Sequence, residues 1–228
     1  MMRLRLTITT VAVLFASSLT ALAQPTNNPF VPLPPGSVVQ NQGVAFNGEH
    51  ANAHWRAVAS KKLAGSGNGR EFYQWYLSIY ALSRGAYRLR YQSPGNGGPL
   101  SRVTQANGAK MWFPVQELRI VGTAYLKGTV FQQLVVQSHE LGADCGSASV
   151  TVFATAPGGS VSPAVSVSNP CELRATIRRD GSGDSIELNG PYYAPNAALC
   201  CPTKPDASAV LRYGDGKWRV TPSYFKLE

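Results

Sequence analysis

The amino-acid sequence predicts an all-β protein of antiparallel hairpins, arranged as a sandwich or an open barrel. Three observations carry this expectation. Tyr73, Trp75, Leu77, Ile79 and Ala81 alternate with Gln74, Tyr76, Ser78 and Tyr80, the period of a strand with one buried face. Similar stretches come in pairs around Gly-bearing turns, at Ser83-Arg84-Gly85, Lys127-Gly128, Pro157-Gly158-Gly159, Asp180-Gly181-Ser182-Gly183 and Gly214-Asp215-Gly216, where Gly supplies the positive φ that tight turns need. Repetition of such pairs along most of the chain defines the class.

At the N-terminus, Arg3 and Arg5 precede an apolar run from Leu6 to Leu22 interrupted only by Thr and Ser. The run is short for a bilayer crossing. It ends in Ala21-Leu22-Ala23, with small residues at the positions signal peptidase reads. Residues 1–23 are therefore expected to be a cleaved secretion signal, and the mature protein to be periplasmic or secreted. Gln24 rather than Cys follows the cut, so no lipid anchor is expected, and no second apolar run is long enough to span a membrane.

Residues 24–43 are rich in Pro, Asn and Gln and read as a flexible tether, with Pro32, Pro34 and Pro35 close together. The β domain is expected over 44–228, with a sub-boundary near 115. An Ala-rich stretch from Asn52 to Leu63, with Trp55 and Val58 at helical spacing, suggests one short N-terminal helix.

Five hairpins follow. In the first, a three-residue loop at Ser83–Gly85 sets Tyr87 opposite Ala81, Leu89 opposite Ile79 and Tyr91 opposite Leu77, so both strands offer one apolar face. The second joins Glu117–Leu126 to Thr129–Gln137. The third joins Ser147–Thr155 to Val161–Asn169 and matches Val150 with Val167 and Val152 with Val165; Pro163 and Pro170 place its second strand at a sheet edge. The fourth sets Ile177 opposite Ile186 and Ala175 opposite Leu188. The fifth brings Val210 near Val220 and Arg212 near Trp218.

Export changes the reading of the cysteines. Cys145, Cys171, Cys200 and Cys201 are an even set in an oxidising compartment, so two disulfides are expected. The Cys-x-x-Cys spacing of zinc sites is absent. Bonds from the Cys200-Cys201 pair outward to Cys145 and Cys171 would tie the loop from Gly190 to Ala207 to the sheet. A Cys145–Cys171 bond across the third hairpin is the alternative, although its register sets Cys145 opposite Glu172.

Cys200-Cys201-Pro202-Thr203, Leu211-Arg212-Tyr213 and Gly216-Lys217-Trp218 form a C-terminal cassette. It resembles exported bacterial proteins of uncharacterised function that end in Cys-Cys-Pro-Ser or Cys-Cys-Pro-Thr, a short Arg-Tyr strand and a Gly-containing turn before an aromatic residue. The resemblance covers roughly Glu117 to Phe225 and implies export and β character, with Cys145 as the earlier cysteine of that group. Members often carry Asp/Gly-rich turns before that cysteine; Leu126-Lys127-Gly128-Thr129 here has no acidic cluster. The resemblance implies no activity.

Few residues suggest catalysis or metal binding. His50 and His54 are four apart but lack a third ligand, so no metal site is expected. Asp180, Ser182, Asp184 and Glu187 alternate as calcium ligands do, but the stretch also suits a hairpin turn. His139-Glu140 is the one local pair of catalytic residue types, without the second His of a helical zinc protease. No Gly-x-Ser-x-Gly elbow occurs. No catalytic residue and no cofactor is therefore assigned.

Charge is more informative. Residues 24–127 hold eleven Lys/Arg against three acidic residues, and residues 128–228 hold eight against nine. Such asymmetry points to an anionic partner. Outside a cytoplasm this means an anionic envelope polymer or phospholipid headgroups rather than nucleic acid. The first hairpin's outer face supplies the expected site, with Tyr76 and Tyr80 beside Arg88 and Arg90, phenol rings next to guanidinium groups. The sequence thus reads as an exported, non-enzymatic β module binding an anionic envelope component. The alternatives are an envelope hydrolase using His139 and Glu140, and a secreted inhibitor-like module presenting Tyr192 and Tyr193 on a disulfide-pinned loop.

Overall fold

The computed structural model describes residues 33–40, 43–47, 54–67, 70–93, 101–104, 110–113, 115–126, 129, 131–140, 146–156, 159–179, 181, 183–198 and 201–228. Residues 1–23, where a secretion signal is expected, and His50, Cys145 and Cys200 lie outside them. The chain is all-β, in antiparallel sheets that do not close into a barrel. The outer sheet is built from β1 (Val38–Val39), β2 (Val44–Asn47), β3 (His54–Gly67), β4 (Arg70–Ser83) and β5 (Ala86–Ser93). A small pair, β6 (Ser101–Thr104) and β7 (Lys110–Phe113), follows. The central sheet holds β8 (Val115–Ala124), β9 (Gln133–Glu140), β10 (Ser147–Thr155) and β11 (Val161–Asn169). The third sheet holds β12 (Arg174–Arg178), β13 (Ser185–Tyr192), β14 (Lys204–Gly214) and β15 (Lys217–Thr221). The terminal β16 (Lys226–Leu227) then returns to β11.

The three sheets stack as layers. Leu118, Ile120, Leu134, Val136 and Phe153 of the central sheet pack against Trp55, Ala57, Ala59, Leu77 and Ile79 of the outer sheet. The alternate positions Val135, Val150, Val152, Val165 and Val167 pack against Leu173, Ala175, Ile186, Leu188 and Leu211 on the other side. Successive residues of a strand point to opposite faces, so β9 and β10 can be apolar on both faces only because both are covered. Gln137 reaches across the second interface, where its Oε1 accepts the Ala175 N–H at 3.1 Å.

The expected helix at Asn52–Leu63 is replaced by β3. Trp55, Ala57 and Ala59 are fully buried toward the central sheet, while Val58 and Ser60 are buried on the opposite face. Val58 and Tyr80 there form a small second core with Leu33, Val39 and Tyr87. Val58 is the one apolar residue on a face that otherwise carries His54, Arg56, Ser60 and Lys62, and its spacing from Trp55 imitates a helix. Val38 and Val39 pair with Lys61 and Ser60, so the end of the supposed tether is part of the sheet and order begins before Val44.

Hairpin registers follow turn chemistry. The third and fourth hairpins have the expected pairings, Val150 with Val167, Val152 with Val165, Ala175 with Leu188 and Ile177 with Ile186. β11 is the last long strand of its sheet, with only the two-residue β16 beyond it. The first and fifth hairpins are each one residue off. Ser83 pairs with Ala86 and Gly214 with Lys217, leaving two-residue turns. Arg84 and Gly85 have φ of 51° and 78°, and Asp215 and Gly216 have 52° and 71°. Two consecutive positive φ values define the turn whose twist matches a hairpin. In the second hairpin the strand pairing ends at Ala124 and Gln133; the expected turn residues Lys127 and Gly128 lie outside the described residues, and the Thr129 N–H donates to the Leu126 carbonyl at 2.9 Å. Leu126, 1% exposed, leaves the hairpin to join the core beneath the third sheet, and the Tyr125 N–H donates to the Asp184 carboxylate at 2.8 Å.

Candidate functional site

The one-residue shift of the first hairpin dismantles the expected Tyr–Arg face. Leu82 pairs with Tyr87, Ala81 with Arg88 and Tyr80 with Leu89. Arg90 is then the extra residue of a β-bulge, and Ile79 pairs with Tyr91. Tyr87 and Leu89 consequently share the outer face with Tyr80, and only Tyr91 reaches the interlayer core, its ring 5.0 Å from that of Phe153. Tyr80 is completely buried, and Ser78 beside it is too. Burial pushes the Tyr80 phenol above its ordinary pKa, partly offset by a hydrogen bond from Ser78, and desolvation raises Tyr76 as well. Tyr80 is a packing residue, so Tyr76, Tyr80, Arg88 and Arg90 do not form one open clamp.

The arginines themselves remain exposed. Arg84 sits in the turn, Arg88 and Arg90 on β5, which is the last strand of the outer sheet among the described residues. Among the described residues none of the three has an ion-pair partner, in contrast to Arg178, whose guanidinium holds Glu187 at 2.6 and 3.0 Å. That pair keeps the Glu187 carboxyl below its usual range, chiefly through the hydrogen bond from Arg178. The Arg90 guanidinium lies over the turn between β10 and β11, where a side-chain carbon at Gly159 would meet it at 3.8 Å. From His54 to Ser93 the chain carries seven Lys/Arg against one acidic residue, so the positive excess belongs mainly to the outer layer.

Other expected residues separate. His139 and Glu140 are neighbours on β9 and point to opposite faces of the central sheet. The His139 position lies between Glu117 and Ala148, and its Nε2 has no hydrogen-bond partner among the described residues. Glu140 lies over the opposite face with Ser147, whose hydroxyl donates to it at 3.3 Å. The two cannot act on one substrate. Asp184 and Glu187 are occupied by Tyr125 and Arg178. Among the described residues no group of three His, Cys, Asp or Glu side chains could hold a metal ion.

The Gly190–Ala207 loop does not protrude with free tyrosines. Tyr192 packs on Tyr224 with ring centroids 5.0 Å apart, and the Tyr193 hydroxyl donates to the Cys171 sulfur at 3.0 Å. Cys171 is buried. The Ala194 N–H donates to Thr203 Oγ1 at 3.0 Å, closing the base of the loop just before β14.

The sequence reading missed a cleft. Among the described residues, the outer sheet covers the central sheet only as far as Leu118, Val136 and Phe153; beyond them the same central face turns to hydroxyls. A hollow of about 240 Å³ is lined by Leu77 and Tyr91 on one side and by Ser138, Thr151 and Ser166 on the other. It adjoins a second, of about 430 Å³, and the two share Glu140 and Ser166. The signal in the sequence was the alternation of Ser and Thr through Ser147, Ser149 and Thr151 and through Ser166 and Ser168, which polarity alone assigns to solvent.

Fold and site together define a three-layer, all-β protein with an arginine-bearing sheet edge and a hydroxyl-lined cleft. No family model matches the chain, and neither a curated protein nor a solved structure matches it. Among the described residues no helix is long and apolar enough to cross a membrane.

Proposed function

We propose that this is an exported, non-enzymatic β module that binds an anionic component of the cell envelope along the β5 edge. The observation carrying the reading is the set of exposed arginines, Arg84, Arg88 and Arg90, without carboxylate partners among the described residues on the most basic layer. Guanidinium groups bind phosphate and carboxylate through paired N–H donors. The separation of His139 from Glu140 supports a binding rather than a hydrolytic role.

The test is a triple substitution, Arg84→Gln with Arg88→Gln and Arg90→Gln. Each basic residue near an anionic surface is worth about 1 kcal/mol, so the variant is expected to bind phosphatidylglycerol-containing vesicles or soluble polyphosphate about 100-fold more weakly at low salt. Its salt dependence is expected to flatten while the melting temperature barely moves. Loss on vesicles alone identifies headgroups, and loss on both probes identifies phosphate groups generally. Unchanged binding with new self-association would assign the arginines to guarding a free sheet edge and overturn the reading.

Export carries a separate expectation. The mature protein begins at Gln24, with all four cysteines in two bridges that pin the loops beside the third sheet. Intact mass of material recovered from the periplasm or medium checks both. A chain that retains residues 1–23, or any thiol that alkylates without reduction, is the contrary result.

A further inference from the structure

We infer that the cleft between the outer and central sheets is a second binding site, for a neutral oligosaccharide. The inference does not rest on the arginine edge. It rests on an abrupt change of chemistry within one sheet face. Cross-strand pairing sets Ser138 beside Ser149 and Ser149 beside Ser168, and in the next row Thr151 beside Ser166. The result is a grid of hydroxyls with steps of about 4.8 Å between strands and about 6.7 Å along them, on the scale of one pyranose ring.

The hydroxyls are held but not exhausted. Ser138 and Ser149 share one hydrogen bond of 2.7 Å, and Thr151 and Ser166 share one of 3.0 Å. In each pair a single proton is used, so the other hydroxyl proton and several lone pairs remain for a ligand. Glu140 takes one hydrogen bond, from Ser147 to Oε2, leaving Oε1 as an acceptor among the described residues. Glu228, at the far end, takes Ser168 at 2.8 Å and Lys226 at 3.3 Å, which hold its carboxyl below the ordinary range, the Ser168 bond contributing most. A ligand rich in O–H donors satisfies such acceptors. Tyr91 and Phe153 lie at the inner end, where the apolar face of a sugar ring has an aromatic partner.

The lining also selects against the alternatives. No Lys or Arg is among the described lining residues of either hollow, and both carry Glu140, so an anion is disfavoured.

Titration of the exported protein with cellotetraose and with tetra-N-acetylchitotetraose, followed by calorimetry and amide chemical shifts, tests the inference. At least one is expected to bind with shifts at Ser138, Ser149 and Thr151, independently of salt. Ser138→Ala with Ser149→Ala is expected to weaken it about tenfold, and Glu140→Gln to weaken it with the fold unperturbed. The Arg84/Arg88/Arg90 variant is expected to bind the sugar as the parent does, which separates this site from the arginine edge. If neither saccharide shifts cleft residues, or if the serine pair and Glu140 can both be replaced without effect, the grid is only a solvated sheet face and the inference falls.

Discussion

Replacing Trp55 with Ala is expected to destabilise the protein by about 3–5 kcal/mol, the range for removing a large buried aromatic. Trp55 is fully buried in the first core, its ring 6.0 Å from Phe46. It lies on β3, which pairs with β1, β2 and β4 and so organises the outer sheet. Its neighbours there include Ala57, Ala59 and Ala81, which are too small to close the cavity by changing rotamer. The indole nitrogen has no hydrogen-bond partner among the described residues. Trp55→Phe therefore removes an unsatisfied buried donor along with some volume, and the two effects oppose each other. Its cost is expected to be less than half that of Trp55→Ala. Denaturant unfolding of both variants measures the difference. Equal losses would mean that the nitrogen is satisfied in solution and that the whole indole is needed.

Gly190→Ala is expected to cost about 3 kcal/mol, near the upper end for overpacking. A side-chain carbon at Gly190 would fall within the van der Waals radius of the Glu172 carbonyl oxygen and lie 3.2 Å from the carbonyl carbon. That carbonyl cannot easily retreat, because Asn169 Nδ2 donates to it at 2.6 Å and to the Pro191 carbonyl at 2.9 Å. The same contact sets the distance between the Cys171 turn and β13, so the substitution is also expected to loosen Tyr193 from Cys171. Gly214→Ala is the control: it lies in the same sheet, with open space around it and no positive φ, and is expected to change stability by less than about 0.5 kcal/mol. Thermal melts of the two variants decide the point, and similar melting temperatures would show that the backbone at Gly190 yields.

The errors of the sequence reading share physical causes. Both misregistered hairpins turn at a residue followed by Gly, with both φ values positive. The Asp215-Gly216 pair is a strong two-residue turn signal, but its flanking Gly214 widened the apparent loop. One residue is enough to exchange the faces of a strand, and so Tyr80 moved from a supposed clamp to a core. The bulge at Arg90 then restored Tyr91 to the interior, and no alternation pattern could reveal that. The helix at Asn52–Leu63 failed for a different reason: Val58 is buried on the face that otherwise carries His54, Arg56, Ser60 and Lys62, and this one apolar residue, three places after Trp55, imitates helical spacing.

By itself the sequence determined the β class, the approximate places of five hairpins, the registers of the third and fourth, and the concentration of positive charge in the first half. These are local properties, fixed by side-chain period, by the φ demands of turn residues and by composition. Tertiary structure alone decided that the sheets stack in three layers, that Leu126 abandons its hairpin for the third sheet, and that His139 and Glu140 part company. It alone decided where the outer sheet stops and the serine grid begins. Which of two faces is covered, and how far, depends on a partner sheet distant in the chain, and a period of two is the same whether the polar face meets solvent or forms the floor of a cleft.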